Sequence, residues 1–265
     1  MEATDLLHDT VESGDLKRVK ALLDGNAASV NAADETGWTA LHGAASEGFG
    51  TIARLLLKHG ANVDARDQRG QTALHWAGKN DDIDIAALLL LHGANVDARD
   101  NNGECALHHA ALSGSVDVVR LLLESGAQVD ATSQEDGATA LHRAASCGFV
   151  DVLRTLLAGG APADAMQSNG QTALHVAADF GQPQAAALLL DHGADLEARD
   201  ATGATPLLVA VSFGDRAEIV SLLLARGADV HARDNNGETR SDDAVDSRHH
   251  DETEHPPLFR FANTR

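Results

Sequence analysis

Apolar and polar residues alternate along this chain in blocks, and the block pattern restarts about every 33 positions. One period opens with a polar stretch of the form x-D-x-x-G, such as "DETG" at 34–37. Glycine there supplies the positive φ of a tight turn. A short run follows, "TALHGAA" at 39–45, with small apolar residues on one face. It predicts a short helix that a neighbour can approach closely. Gly48, Gly114, Gly148, Gly181 and Gly214 stop these helices. A second run carries "LLL" and ends at Gly60, Gly93, Gly126, Gly160, Gly193 or Gly227, which predicts a second helix. An extended "A-x-V-D-A" stretch then leads to the next turn.

No such unit can bury its own apolar face, so the pattern predicts stacking into a one-dimensional solenoid. Six full units are expected at 33–65, 66–98, 99–131, 132–165, 166–198 and 199–232. Two extra residues break the strict period, one near Thr132 and one in the helix after Gly214. The heptapeptide "ARDNNGE" occurs at 98–104 and again at 232–238, in the same place of the frame. After the first copy a stacking helix follows. After the second, Arg240, Ser241 and Asp242 replace the apolar face, so 233–246 reads as a degenerate C-terminal cap. Residues 1–32 keep "LLHDTVESGDLKRVKALL" without the turn and read as an N-terminal cap.

The run "TALH" stands at Thr39–His42, Thr72–His75, Thr139–His142 and Thr172–His175, with "CALH" at Cys105–His108 and "TPLL" at Thr205–Leu208. In period and in this motif the chain resembles the ankyrin-repeat family, whose signature is T-P-L-H-x-A. The resemblance implies an all-α solenoid of paired antiparallel helices with protruding β-turn loops. It also implies that His42, His75, His108, His142 and His175 hydrogen-bond within their own turn and to the neighbouring repeat. Three departures stand out. Ala replaces Pro at the helix start in five units, at little cost. Gln134 and Gln167 stand where a turn Asp is expected, which predicts looser turns. Asp81 stands where Gly is usual, which predicts a local weakness.

Composition agrees with close-packed helices. Apolar residues make up 43% of the 265, mostly Ala and Leu, with no Tyr, two Trp and six Phe. The formal net charge of −20 disfavours a nucleic-acid partner. Two cysteines make no disulfide framework and fit a reducing, intracellular setting. The start has no basic region followed by an apolar run, and apolar runs such as "IAALLLL" are too short to span a bilayer. The expectation is a monomer in the cytoplasm or nucleus, with no membrane partner and no cofactor.

Candidate chemistry adds little. A metal site needs ligands converging on one point, whereas a stack spaces equivalent histidines along a line. No metal ligands are therefore assigned, and tail residues His249, His250 and His255 offer at most weak contact. Neither Cys105 nor Cys147 has a recognisable base and orienting group, and no GxSxG, P-loop or GxGxxG occurs. No catalytic residue is assigned.

Function is thus expected at the surface, as a non-catalytic scaffold or adaptor for another protein. The alternative is a stoichiometric inhibitor or regulatory subunit. In the family resembled, turn tips and the exposed face of the first helix form a concave groove. Here these positions place Trp38, Leu112, Met166, Phe180 and Phe213 as large apolar contacts. Arg66, Arg69, Lys79 and Arg99 read as a basic patch suited to carboxylates. Glu135, Asp136 and Asp179 turn the later groove acidic. Packing against the next repeat is an equal reading for Phe180 and Phe213, and Trp76 is expected to pack inside its helix. Residues 247–265 read as a disordered acidic tail, with Pro256–Phe261 a candidate docking peptide.

Overall fold

A computed structural model describes residues 3–25, 28–212 and 216–239. Among these the chain is a run of helix pairs. The N-terminal pair is α1 (Ala3–Glu12) and α2 (Leu16–Asp24). Next come α3 (Ala40–Ser46) with α4 (Gly50–Lys58), α5 (Ala73–Lys79) with α6 (Ile83–Leu91), and α7 (Ala106–Ser113) with α8 (Val116–Glu124). The series closes with α9 (Ala140–Cys147) and α10 (Val150–Ala158), α11 (Ala173–Asp179) and α12 (Pro183–Asp191), and α13 (Pro206–Val211) and α14 (Ala217–Ala225). No strand forms among the described residues; two isolated bridges, Ala33 to Thr39 and Arg233 to Thr239, close the first and last turns.

The sequence explains the layering. First helices carry Ala and Gly on their faces, so each lies close against the next. In α5, Gly78 makes this literal: a Cβ there would sit 2.9 Å from the Ala106 carbonyl of α7. Second helices carry Leu, Ile and Val, and they contact one another less extensively than the first helices do. Tighter spacing on the first-helix side curves the array toward that side. Between the two layers lies one continuous core, with Leu41, Ile52, Leu56, Leu74, Ile85, Leu89, Leu107, Leu122, Leu141, Leu153, Leu156 and Leu174 almost fully buried. Each such side chain contributes about 1.5–3 kcal/mol relative to exposure. The N-terminal pair joins this core through Leu7, Val11, Val19 and Leu23.

Turns register the units from outside. The amide of Gln68 donates to Thr36 O at 2.7 Å, Asn101 to Arg69 O at 2.8 Å, and Gln134 to Asn102 O at 2.7 Å. Ser168 to Asp136 O, Ala201 to Asn169 O and Asn235 to Thr202 O continue the ladder to the last described turn. This ladder corrects the frame in the fourth unit. Gln134 pairs as Asn101 does, so Ser133, not Gln134, occupies the Asp100 position. The extra residue lies inside the turn rather than near Thr132, because Ser133 closes on Ala138 O where Asp100 closes on Glu104 O. Asp136 then does the missing work, accepting from the Ala138 amide at 3.0 Å and from the Ser133 hydroxyl. In the fifth unit Gln167 does replace Asp. Its turn keeps the backbone bond to Gln171 O at 2.9 Å, and Asn169 Oδ1 takes the Gln171 amide at 3.0 Å.

Asp81 adopts φ 57°, the one positive value among the described non-glycine residues. The expected strain is therefore present in the backbone. The seventh turn, Arg233–Thr239, is described; the rest of the C-terminal cap, the tail from 240 onward and Phe213 lie outside the described residues.

Candidate interaction groove

Five T-A-L-H or C-A-L-H runs start their helices in one way. The residue before the helix caps it, and the histidine three positions on reaches back to the cap residue's amide: His42 Nδ1 takes Thr39 N–H at 3.1 Å, His75 takes Thr72 N–H at 3.0 Å. This is a capping box with imidazole in place of Glu or Gln. Because Nδ1 accepts, the proton sits on Nε2, and Nε2 donates across to the next unit. The acceptors are Gln71 O at 3.0 Å, Glu104 O at 3.1 Å, Ala138 O at 3.1 Å, Gln171 O at 3.2 Å and Ala204 O at 3.0 Å. A buried seam of neutral imidazoles thus ties each unit to its successor. Burial disfavours the charged form. It holds His42, His108 and His175 below the ordinary histidine range, and His75 and His142 at about 4. In the sixth unit Leu208 replaces the histidine, and the seam ends there.

The residue after each seam histidine varies, as Gly43, Trp76, His109, Arg143 and Val176, and Val209 follows Leu208 in the sixth unit. At the N-terminal end, Trp38 stacks on His42 at 5.3 Å and meets Trp76 edge-on at 5.0 Å. Lys79 Nζ lies 4.6 Å from the Trp76 ring centre, a cation–π contact. Trp76 is half-buried and packs against the core as expected, while its ring also meets Trp38 and Lys79. Its Nε1 is buried and makes no hydrogen bond among the described residues.

The centre is charged. Arg143 Nε and Nη2 both reach Glu104 Oε1 at 2.7 Å, and its Nη1 reaches Asp136 Oδ2 at 2.8 Å. His109 Nε2 lies 3.1 Å from Asp100 Oδ2 and 3.8 Å from Glu104 Oε2. Burial opposes the Asp100 charge, but bonds from His109 and from the amides of Glu104 and Asn102 outweigh it and hold the carboxyl at about 2. At Asp136 burial is likewise outweighed, by Ser133, Arg143 and the Ala138 amide, again to about 2. Burial works against the Arg143 charge, yet Glu104 and Asp136 raise its affinity for the proton.

Beyond this centre the floor becomes apolar at Val176 and Val209, and a hollow of about 290 Å³ opens. Gln171, Asp179, Asp200, Thr202, Asp234 and Glu238 line it. Asp179 pairs with Arg216 at 3.2 Å.

The other expected groove residues fall in different surroundings. Arg66 and Arg69 are exposed. Met166 and Phe180 are 57% and 55% exposed, which favours presentation over packing for Phe180. Trp38 and Leu112 are half-buried. Arg99 departs from the basic patch: its Nη1 donates to Gly103 O at 2.9 Å and to Thr132 O at 2.6 Å, stapling its own turn to the next. Arg199 makes the same staple to Gly203 O and Arg233 O. The joining of Glu104, His109 and Arg143 into one cluster was not expected from the sequence. The signal was available, since they occupy the unrepeated positions flanking a repeated T-A-L-H. Cys105 does have a histidine beside it, with Sγ 3.1 Å from His108 Nδ1. That nitrogen already accepts the Cys105 amide at 3.2 Å, and burial pushes the thiol above its ordinary range.

A solenoid of helix pairs, seamed by buried imidazoles and carrying unrepeated chemistry on its turn side, is built as an interaction module. Ankyrin repeats match the chain in three copies, over residues 7–100, 91–167 and 156–234. The chain belongs to the ankyrin-repeat family. It resembles the solved ankyrin repeat domain of Bcl-3, described as a unique member of the IkappaB protein family, over 83% of this chain and 97% of that one. Identity is 30% and the TM-score 0.71. Over 51 residues it is 49% identical to protein phosphatase 1 regulatory subunit 27 of Mus musculus, a match covering 19% of this chain and 32% of that protein. The chain therefore spans about a third of that relative's length. These likenesses support a protein-interaction or regulatory module. No helix among the described residues is long and apolar enough to cross a membrane.

Proposed function

We propose that this protein is a non-catalytic scaffold or adaptor that holds a segment of a partner protein along its inner surface. One observation carries the reading: the residues that repeat are buried in the seam and core, while those that do not repeat gather on the turn side. There a tryptophan corner under Lys79 stands at one end, and exposed Phe180 beside an acidic hollow stands at the other. Aromatic anchors with a polar rim are the usual makeup of an interface centre. Arg66, Arg69 and Lys79 suit acidic side chains of the partner, and Asp179, Asp200, Asp234 and Glu238 suit basic ones. A stoichiometric regulatory subunit is the second reading, favoured by the 51-residue likeness to a phosphatase regulatory subunit.

A photo-crosslinking residue placed at Arg69 or at Phe180, compared with one at Glu124 at the end of α8, tests the groove. The expected result is the same partner captured from Arg69 and Phe180 and not from Glu124. Capture from Glu124 alone places the partner elsewhere and defeats the reading.

A further inference from the structure

Equivalent histidines in a stack do not converge, but one unit supplies three different donors of its own. The third unit alone, among the described ones, carries a carboxylate at the turn start, another just before the helix and an imidazole after the seam histidine. These are Asp100, Glu104 and His109, and their donor atoms all lie within 4.8 Å of one another. The matching trios elsewhere are Asp34, Trp38 and Gly43; Asp67, Gln71 and Trp76; Ser133, Ala138 and Arg143; Gln167, Gln171 and Val176; and Asp200, Ala204 and Val209, none of which offers three donors.

The geometry is that of a ligand set. Zinc holds N and O donors at about 2.0–2.2 Å in a tetrahedron, whose edges are then ~3.4 Å. His109 Nε2 lies 3.1 Å from Asp100 Oδ2 and 3.8 Å from Glu104 Oε2, on either side of that value. Each carboxylate is also pinned by its other oxygen. Asp100 Oδ1 accepts the amides of Asn102 and Glu104, at 2.9 and 3.0 Å, and Glu104 Oε1 is held by Arg143 at 2.7 Å. Oε2 is left directed at the imidazole, and Oδ2 faces it with one further contact, from Gln71 Nε2 at 3.4 Å. Such outer bonds are what orient carboxylate ligands in built metal sites. Three carboxyls, counting Asp136, stand against one guanidinium, a balance that a dication would neutralise. Asp100 and Glu104 are buried, and the His109 side chain is 12% exposed.

We propose that Asp100, Glu104 and His109 bind one divalent metal ion of the zinc class, leaving a fourth position for water or a partner's side chain. One imidazole with two carboxylates suits Zn²⁺ and its Co²⁺ and Ni²⁺ neighbours rather than Ca²⁺. On binding, Nε2 becomes the ligand and His109 carries its proton on Nδ1. The site stands whether or not the inner surface docks a partner.

The test is zinc titration of the full chain by calorimetry after chelator treatment, with cobalt absorption as the geometry readout. His249, His250 and His255 are replaced together by Asn in one form, to remove tail imidazoles. In a second form His109→Ala is added. That substitution is compatible with the fold, because the same position is Gly43, Trp76, Arg143, Val176 or Val209 in other units; far-UV circular dichroism checks it. The tail variant is expected to keep one zinc equivalent. His109→Ala is expected to weaken it by more than the ~10–100-fold that losing a supporting partner costs, and Glu104→Gln to weaken it as well. A tail variant that binds no zinc, or a His109→Ala form that binds it unchanged, overturns the proposal.

Discussion

His108 and His109 are neighbours in sequence and belong to different regions of the molecule. His108 lies in the seam, with Nδ1 taking the Cys105 amide at 3.2 Å and Nε2 donating to Ala138 O of the next unit at 3.1 Å. His109 lies one residue on, at the edge of the groove, facing Asp100 and Glu104. Adjacent helical residues point in different directions, so one ring is committed to the fold while the other is free to vary. The same division runs through His75 and Trp76, and through His142 and Arg143. The array keeps its fold residues and its surface residues interleaved, so surface chemistry can change without touching the stack.

Acidification is the strongest way to break the seam. His75 and His142 have folded-state values of about 4 against 6.5 when free. The folded state therefore binds these protons less readily than the unfolded one. Their contribution is complete above pH 6.5 and is lost as pH falls toward 4, on the order of 3 kcal/mol for each. Asp100 and Asp136, at about 2, lose their contribution only below the ordinary carboxylate range, so the two windows separate. Urea unfolding measured from pH 8 to 4 is expected to show a flat region, then a steep fall beginning near 6.5.

Substitution of the paired histidines sharpens the contrast. His108→Ala removes a buried side chain and leaves the buried Cys105 amide without its Nδ1 acceptor, an expected loss of about 2–4 kcal/mol. His109→Ala breaks no seam hydrogen bond but takes an imidazole partner from buried Asp100 and an edge-on ring contact from His75, so it is expected to cost about 1–2 kcal/mol, less than His108→Ala. Chemical denaturation of both variants checks the difference. Comparable losses would mean that the two positions are not distinct. The smallest effect is expected at Asp81, whose φ of 57° costs a non-glycine residue. Asp81→Gly is expected to raise stability by roughly 0.5–1 kcal/mol, read from the denaturation midpoint.

Most of the fold was legible in the sequence because a 33-residue period repeats its own cues. A glycine that stops a helix six times over is hard to misread. The seam, too, is what the resemblance to ankyrin repeats implies for the histidine of T-A-L-H. The fourth turn was misplaced by one position because Ser133 with Asp136 can stand in for a single Asp, and side-chain substitution of that kind leaves no trace in a motif. The groove was harder. Arg99 looks like a surface cation, but a guanidinium long enough to reach two carbonyls becomes a staple. The joining of Glu104, His109 and Arg143 was not foreseen because it depends on partners 5–39 residues away, as Arg143 to Glu104 shows with a separation of 39.

The separation of seam from surface rests on five imidazoles that are neutral, protonated on Nε2 and buried. Nitrogen-15 spectra of the histidine rings, recorded from pH 8 to 5, test this directly. On this account His75 and His142 are expected to keep the Nε2-protonated neutral form through pH 5.5, and His42, His108 and His175 to titrate below the ordinary histidine range. Titration of these rings with an ordinary midpoint near 6.5, or a proton on Nδ1, would contradict it.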